Sequence, residues 1–140
     1  MKEVSILGAT GSIGLNTLEV ISRHTDKYKV FALSANKSWQ KMLLLCKTHM
    51  PTYAVLVDPD AAESLRKTAP EGVTVLSGEN ALIEIASHKE VDYVMAAVVG
   101  SAGMTSTLAA VDTGKRVMLA NKESLVLAGD LLINAAKKSG

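Results

Sequence analysis

Residues 8–14 read Gly8-Ala9-Thr10-Gly11-Ser12-Ile13-Gly14, and they are the most informative stretch of the chain. An apolar run, Val4–Leu7, precedes them, and a segment with helical spacing follows, from about Ile13 to Arg23. A G-x-x-G-x-x-G loop between a strand and a helix is a variant of the G-x-G-x-x-G loop that binds dinucleotides. The alternative is a tight turn that holds no ligand. The flanking strand and helix favour the dinucleotide loop.

Each glycine of this loop has its own expected role. Gly8 allows the chain to turn sharply as it leaves the strand, and Gly14 lets the helix pack closely. Gly11 leaves room for a pyrophosphate next to the backbone. The N–H groups of the first helical turn then face the phosphates, aided by the positive end of the helix. The hydroxyl groups of Thr10 and Ser12 can add donors.

Further apolar runs predict five more strands, and segments with helical spacing follow most of them. This alternation is typical of an α/β fold, a doubly wound, mostly parallel sheet of Rossmann type. Because the runs are continuously apolar, we expect the strands to be buried on both faces. The elements fill residues 1–140 as one dinucleotide-binding domain. The further strands are Val30–Leu33, Tyr53–Val57, Val73–Leu76, Tyr93–Val99 and Val117–Ala120.

Capping residues predict where the later helices begin and end. Ser38 is suited to begin one, Pro59 to a turn or a first helical turn, and Gly114 to end another. The predicted helices run from Trp39 to about His49, over Ala61–Thr68, over Met104–Thr113, and from Ser124 to about Lys138.

The composition excludes several classes of protein. Hydrophobic residues make up 48% and charged residues 21% of the 140 residues, which is typical of a globular domain. The net charge of +1 gives no electrostatic basis for nucleic-acid binding. We expect neither a membrane span nor a signal peptide, since no apolar run is long enough. Cys46 is the single cysteine, so no intramolecular disulfide can form, in keeping with a cytoplasmic location.

The end of the second strand predicts which dinucleotide is bound. NAD-binding domains usually place an acid there to bond the ribose hydroxyl. This chain has no acid at residues 34–38, and Lys37 would attract a 2′-phosphate. Asn36 and Ser38 can donate hydrogen bonds to it. The sequence therefore favours NADPH over NADH, the alternative being that Lys37 is an ordinary solvated lysine.

Two other segments follow predicted strands, and the residues alone leave their roles open. Asn121, Lys122 and Glu123 follow the sixth strand, where they can bind a polar substrate and orient a nicotinamide. They can equally be an ordinary helix start. Residues 100–103 (Gly-Ser-Ala-Gly) either let a ligand pass closely or form a loop without contacts. The three histidines lack ligand spacing, and the acids at 58–63 are explained by a helix start, so no metal site is predicted.

Four segments, read together, carry a family resemblance. They are Ile6-Leu7-Gly8-Ala9-Thr10-Gly11-Ser12-Ile13-Gly14, Val94-Met95-Ala96-Ala97-Val98-Val99-Gly100-Ser101-Ala102-Gly103, Gly114-Lys115 and Leu119-Ala120-Asn121-Lys122-Glu123-Ser124-Leu125-Val126. In this combination the chain resembles the 1-deoxy-D-xylulose 5-phosphate reductoisomerase family along its whole length.

The resemblance implies an activity. Members of the family are homodimeric enzymes of the non-mevalonate isoprenoid pathway. They rearrange 1-deoxy-D-xylulose 5-phosphate and reduce it with NADPH to 2-C-methyl-D-erythritol 4-phosphate, with magnesium or manganese as the metal. The family's metal-binding carboxylates lie beyond the last residue of this chain. We therefore expect an N-terminal part of the enzyme that holds NADPH, contains no catalytic or metal-binding residue, and does not turn over alone.

The resemblance also implies roles for individual residues. Those at the phosphates would be Gly8, Thr10, Gly11, Ser12 and Ile13, those at the 2′-phosphate Asn36, Lys37 and Ser38, and those elsewhere on the cofactor Asn121 and Glu123, with Lys122 on the substrate. The family often has glycine at position 36 and asparagine at 38, so this chain departs from its pattern at both.

Two other functions are compatible with the glycine loop. An aspartate-semialdehyde dehydrogenase-like reductase shares the G-x-x-G-x-x-G spacing but needs a catalytic cysteine after its cofactor domain. Cys46 lies within a predicted helix and is poorly placed for that role. A non-catalytic NADPH-sensing module is the other alternative, and the segment at residues 121–123 argues against it.

Overall fold

The computed structural model describes residues 2–97 and 101–119, which fold into strands alternating with helices. Parallel pairing joins all the described strands into one sheet. The elements are β1 (Lys2–Leu7), α1 (Ser12–Ser22), β2 (Tyr28–Ala35), α2 (Trp39–His49), β3 (Tyr53–Leu56), α3 (Pro59–Thr68), β4 (Thr74–Ser77), α4 (Glu79–Ser87), β5 (Tyr93–Ala96), α5 (Ser101–Asp112) and β6 (Arg116–Leu119).

The order of strands across the sheet is β4-β3-β2-β1-β5-β6. The chain therefore steps outward from β1 to β4 and then crosses back to the other side of β1. Right-handed crossovers place the helices before and after this reversal on opposite faces. This arrangement confirms the predicted α/β, doubly wound, parallel sheet.

Two apolar clusters cover the two faces of the sheet. One packs α1, α2 and α3 on the sheet through residues such as Leu18, Met42 and Leu65. The other packs α4 and α5 through Leu82 and Ala110. The central strands are buried as predicted from their apolar runs. The edge strand β4 is different, because it has a neighbour on one side only and buries one of its four residues.

Several predicted boundaries were wrong. The fifth strand was predicted to reach Val99 but ends at Ala96, since Ala97 no longer belongs to the strand. Residues 98–100 are not among the described residues. Residues 101–103 belong to α5, which begins at Ser101 and not at Met104, so they are not an irregular loop. The sequence does not predict this first helical turn, because its small residues show no apolar repeat at helical spacing. Helix α4, which follows Gly78 at φ 92°, is not among the helices whose ends the sequence predicts. The helix predicted from Ser124 lies outside the described residues.

The capping predictions were correct at two positions out of three. Asp58 accepts a hydrogen bond from the Ala61 N–H at 3.0 Å, and Pro59 begins the helix. Gly114 follows α5 with φ 79°. Ser38 does precede α2, but its hydroxyl makes no capping bond. Among the helices that the structure describes, none is long and apolar enough to span a membrane.

This contrast between two helix starts can be tested by stability measurements. Asp58→Ala removes a capping acceptor and should cost about 1 kcal/mol, which lowers the thermal midpoint by roughly 3–6 °C in a chain of this size. Ser38→Ala is the matched control and should shift the midpoint little, since its hydroxyl caps nothing. Equal losses in the two variants would contradict this account.

Candidate functional site

The candidate site lies at the carboxyl ends of the strands, where the direction of the chain reverses. Strands β1 and β5 are neighbours, but the helices that follow them, α1 and α5, cover opposite faces. Such a switch point leaves a crevice outside the sheet, and ligands of open α/β sheets bind there. The loop over residues 8–11 leaves β1 at this point.

Hydrogen bonds to β2 hold the first part of the loop. Gly8 has φ 83°, which confirms that the sharp turn needs glycine. Its N–H donates to the carbonyl oxygen of Ser34 at 3.1 Å and to the Ser34 hydroxyl at 3.0 Å. The Ala9 N–H donates to the same carbonyl at 2.7 Å. The sequence identifies Ser34 only as a strand end, and a serine that closes an apolar strand is the one signal it gives.

Gly14 is required by the fold itself. A Cβ atom at this position would lie 2.4 Å from the Gly8 carbonyl oxygen and 2.7 Å from the Ala9 Cα. Both atoms belong to backbone that the bonds to Ser34 hold in place. The close packing expected of Gly14 is therefore confirmed, and its partner is the loop just before the helix.

No described contact requires glycine at position 11. It immediately precedes α1, is exposed, and has ordinary extended dihedrals of φ −79° and ψ 169°. Among the residues that the structure describes, a Cβ here would meet only the Gly8 oxygen, at 3.7 Å, which is normal van der Waals contact. No described residue therefore fills the space beside Gly11, and the approach of a pyrophosphate expected there needs such space.

The amino end of α1 is electrostatically suited to an anion. Its N-cap residue, Gly11, has no side chain with which to cap it, and its first turn contains no acidic residue. The first N–H groups of a helix have no acceptor within the helix, and the helix dipole is positive there. Thr10 lies half-buried beside this end. The loop and the start of α1 thus offer backbone donors to a phosphate group.

Residues 36–38 follow the neighbouring strand β2. Their backbone is held, because the Asn36 carbonyl accepts from the Asp58 N–H at 3.1 Å and the Ser38 carbonyl accepts from Met42 at 3.0 Å. Asn36 and Lys37 are exposed, and Ser38 is half-buried. Residues 8–14 and 36–38 thus leave adjacent strands at the same edge.

Lys37 has no ion-pair partner among the described residues. The ion pairs found there are Arg23–Glu19, Lys29–Glu3 and Arg66–Glu63, and Lys37 takes part in none. The acid on the adjacent loop, Asp58, has a carboxylate oxygen committed to the start of α3.

Other predicted residues are not brought into this site. Asn121, Lys122 and Glu123 lie outside the described residues, so their predicted contacts stay predictions. Cys46 is fully buried within α2, and burial raises the pKa of its thiol to about 11. It is therefore protonated at neutral pH and cannot serve as the nucleophile of a semialdehyde dehydrogenase. Within the described ranges, no three His, Cys, Asp or Glu side chains could together hold a metal.

Comparison with known proteins points to one family. A family model described as 1-deoxy-D-xylulose 5-phosphate reductoisomerase matches residues 4–129. The reductoisomerase of Ruthia magnifica is 51% identical over 138 residues, which are 99% of this chain and 36% of that protein. The reductoisomerase of Shewanella sp. strain ANA-3 is 56% identical over 142 residues, covering 100% of this chain and 36% of its own length.

Solved structures agree. A crystal structure of DOX-P reductoisomerase in complex with magnesium is 46% identical, with a TM-score of 0.83, over 100% of this chain and 36% of that one. The Zymomonas mobilis reductoisomerase in complex with NADPH is 44% identical, also with a TM-score of 0.83, over 99% of this chain and 37% of that one. The chain thus spans about 36% of the length of the curated relatives it resembles.

The different requirements at Gly14 and Gly11 predict different effects on stability. Gly14→Ala forces a Cβ against fixed backbone and should cost at least about 2 kcal/mol. Gly11→Ala should change the free energy of unfolding by less than about 1 kcal/mol, because the small loss of a favoured N-cap residue is offset by dihedrals that alanine adopts without strain. Denaturant unfolding of the cofactor-free chain measures both. A large loss for Gly11→Ala would show that its role is in the fold and not toward a ligand.

Proposed function

The chain belongs to the 1-deoxy-D-xylulose 5-phosphate reductoisomerase family, and on that premise we propose that residues 1–140 form the dinucleotide-binding domain that holds NADPH for this reaction. The proposed reaction is the rearrangement and reduction of 1-deoxy-D-xylulose 5-phosphate to 2-C-methyl-D-erythritol 4-phosphate. When bound, NADPH supplies the hydride for the reduction. The contribution of this chain is to bind the cofactor and orient it at the carboxyl edge of the sheet.

The observation that carries the proposal is the open space at Gly11. The fold requires Gly8 for its positive φ and Gly14 for close packing, but the described residues make no such demand at Gly11. Gly11 lies at the amino end of α1, and no described contact requires it to be glycine. A glycine in such a place is suited to a ligand that approaches the backbone closely. The cofactor pyrophosphate is that ligand in the proposal.

The phosphate-binding part of the proposed site is the loop and the first turn of α1. Gly11 would let the pyrophosphate approach the backbone, the N–H groups of Ser12 and Ile13 would donate to it, and the hydroxyl of Thr10 would add a donor. Gly8 would shape the turn from which these residues extend. The uncapped amino end of α1 supports this assignment.

The adenosine end of the cofactor is proposed to lie over residues 36–38. Lys37 would pair with the 2′-phosphate, and Asn36 and Ser38 would donate hydrogen bonds to it. The support is the exposure of Lys37, the absence of an ion pair to it among the described residues, and the engaged carboxylate of Asp58. Together they favour a phosphate at this position over the bare ribose hydroxyl of NADH.

The remaining parts of the proposal rest on the family likeness alone. Asn121 and Glu123 would contact the cofactor, and Lys122 would contact the sugar phosphate. The proposed partner is a second copy of the full-length enzyme in the cytoplasm, with no nucleic acid or membrane involved. The DOX-P reductoisomerase crystal structure contains magnesium, but the described residues of this chain offer no ligand set that fits such a metal.

Titration of the purified chain with NADPH and NADH, followed by fluorescence, tests the proposal. The chain should prefer NADPH, and Lys37→Glu should weaken NADPH binding by about tenfold or more without weakening NADH binding, since an acid at this position can bond the ribose hydroxyl. The reason is that a charge-assisted bond contributes roughly 1.5–3 kcal/mol, and about 1.4 kcal/mol is a factor of ten. The loss should shrink at high salt, since the pair is exposed.

Lys47→Glu is the control for net charge. Lys47 is exposed and lies near the far end of α2, so the same change in charge should leave both affinities unaltered. Equal affinity of the unmodified chain for NADPH and NADH would refute the proposed role of Lys37. Failure to bind either cofactor would refute the dinucleotide-binding function.

A further inference from the structure

Ser34 is a buried polar residue at the end of an apolar strand. It has 1% of its surface exposed, and the five residues of β2 around it, from Val30 to Ala35, are buried and apolar. Burying a hydroxyl is unfavourable unless it is hydrogen-bonded. This hydroxyl accepts a hydrogen bond from the Gly8 N–H, at 3.0 Å, in the loop that follows the neighbouring strand β1.

Ser34 holds both peptide groups that flank Gly8. The Gly8 N–H is shared between the Ser34 carbonyl and hydroxyl oxygens, and the Ala9 N–H bonds to the carbonyl at 2.7 Å. The second of these peptide groups also carries the Gly8 oxygen, which accepts from the Gly11 N–H at 3.3 Å. The direction of the loop up to Gly11 therefore depends on how Ser34 orients the backbone at Gly8.

The Ser34 hydroxyl is a second acceptor for the Gly8 N–H, so its main effect is to orient this peptide group. If it were removed, the Gly8 N–H would still have the Ser34 carbonyl as acceptor, at 3.1 Å. No buried donor would be left without a partner, so the cost in stability should be small. Glycine has the widest conformational freedom of any residue type. A second hydrogen bond that restrains Gly8 therefore makes the loop more ordered.

We propose that Ser34 is a positioning residue for NADPH, whose hydroxyl fixes the backbone at Gly8 so that the amides that follow Gly11 face the cofactor pyrophosphate. The inference rests on the proposed function and extends it to a residue that does not contact the cofactor. Restraining a binding loop before the ligand arrives lowers the entropy cost of binding. The role of Ser34 is thus expected to appear in affinity.

Ser5 is a matched control in the adjacent strand. It too is a buried serine, with no exposed surface, and its hydroxyl donates to the Ile85 carbonyl at 2.7 Å. That bond joins β1 to α4 and does not involve the glycine loop. Ser5→Ala should therefore lower the thermal midpoint without changing the affinity for NADPH.

The experiment compares Ser34→Ala, Ser34→Thr and Ser5→Ala with the unmodified chain. Ser34→Ala should weaken NADPH binding by about three- to tenfold, the effect of one hydrogen bond, while its thermal midpoint stays within about 2 °C. Ser34→Thr keeps the hydroxyl and should restore the affinity. Threonine adds a methyl group at this buried site, so Ser34→Cys is a second variant. Its thiol is similar in size to the hydroxyl but a weaker acceptor, and the NADPH affinity should be intermediate.

A cofactor-free measurement separates this inference from the proposed function. In NMR spectra of the labelled chain, the Gly8 amide proton should move upfield and exchange faster in Ser34→Ala than in the unmodified chain. An unchanged Gly8 signal, or unchanged NADPH affinity in a chain that binds NADPH, would overturn the positioning role and leave the proposed function standing. An unmodified chain that binds no NADPH, with normal Gly8 restraint, would overturn both.

Discussion

The close contact between the start of α1 and the turn at Gly8 is the constraint on which the site depends. The missing Cβ of Gly14 allows the helix to begin directly against the Gly8 carbonyl, where a Cβ would lie 2.4 Å away. This contact places the amino end of α1 immediately outside β1. Without it the helix would have to start farther from the sheet, and its first amides would no longer border the crevice between β1 and β5.

The position of that crevice follows from topology and not from any single residue. The outward run from β1 to β4 and the return to β5 put successive helices on opposite faces of one sheet. An apolar core on each face then stabilises the arrangement, since burial of apolar surface is the main favourable contribution to folding. The loops at the carboxyl edge are left to serve binding, and their polar backbone is bonded within the edge itself, as at Ser34 and Asp58.

The sequence predicted the central features of the fold because they have periodic or conformational signals. Continuous apolar runs identified the strands, and the three glycines of residues 8–14 identified the turn from β1 to α1. The start of α5 was predicted three residues late, since the small residues at 101–103 have no helical pattern. The role of Ser34 could not be derived, because it depends on a contact between residues 26 positions apart in the chain.

The central claim is that a dinucleotide binds along the carboxyl edge, over the glycine loop and residues 36–38. The most direct measurement is the change in backbone amide chemical shifts when NADPH is added to the labelled chain. The account predicts the largest changes at residues 8–14 and 36–38, with NADH reproducing the first set and much less of the second. Changes concentrated at the opposite edge, around Glu3, Asp92 and Arg116, would contradict it.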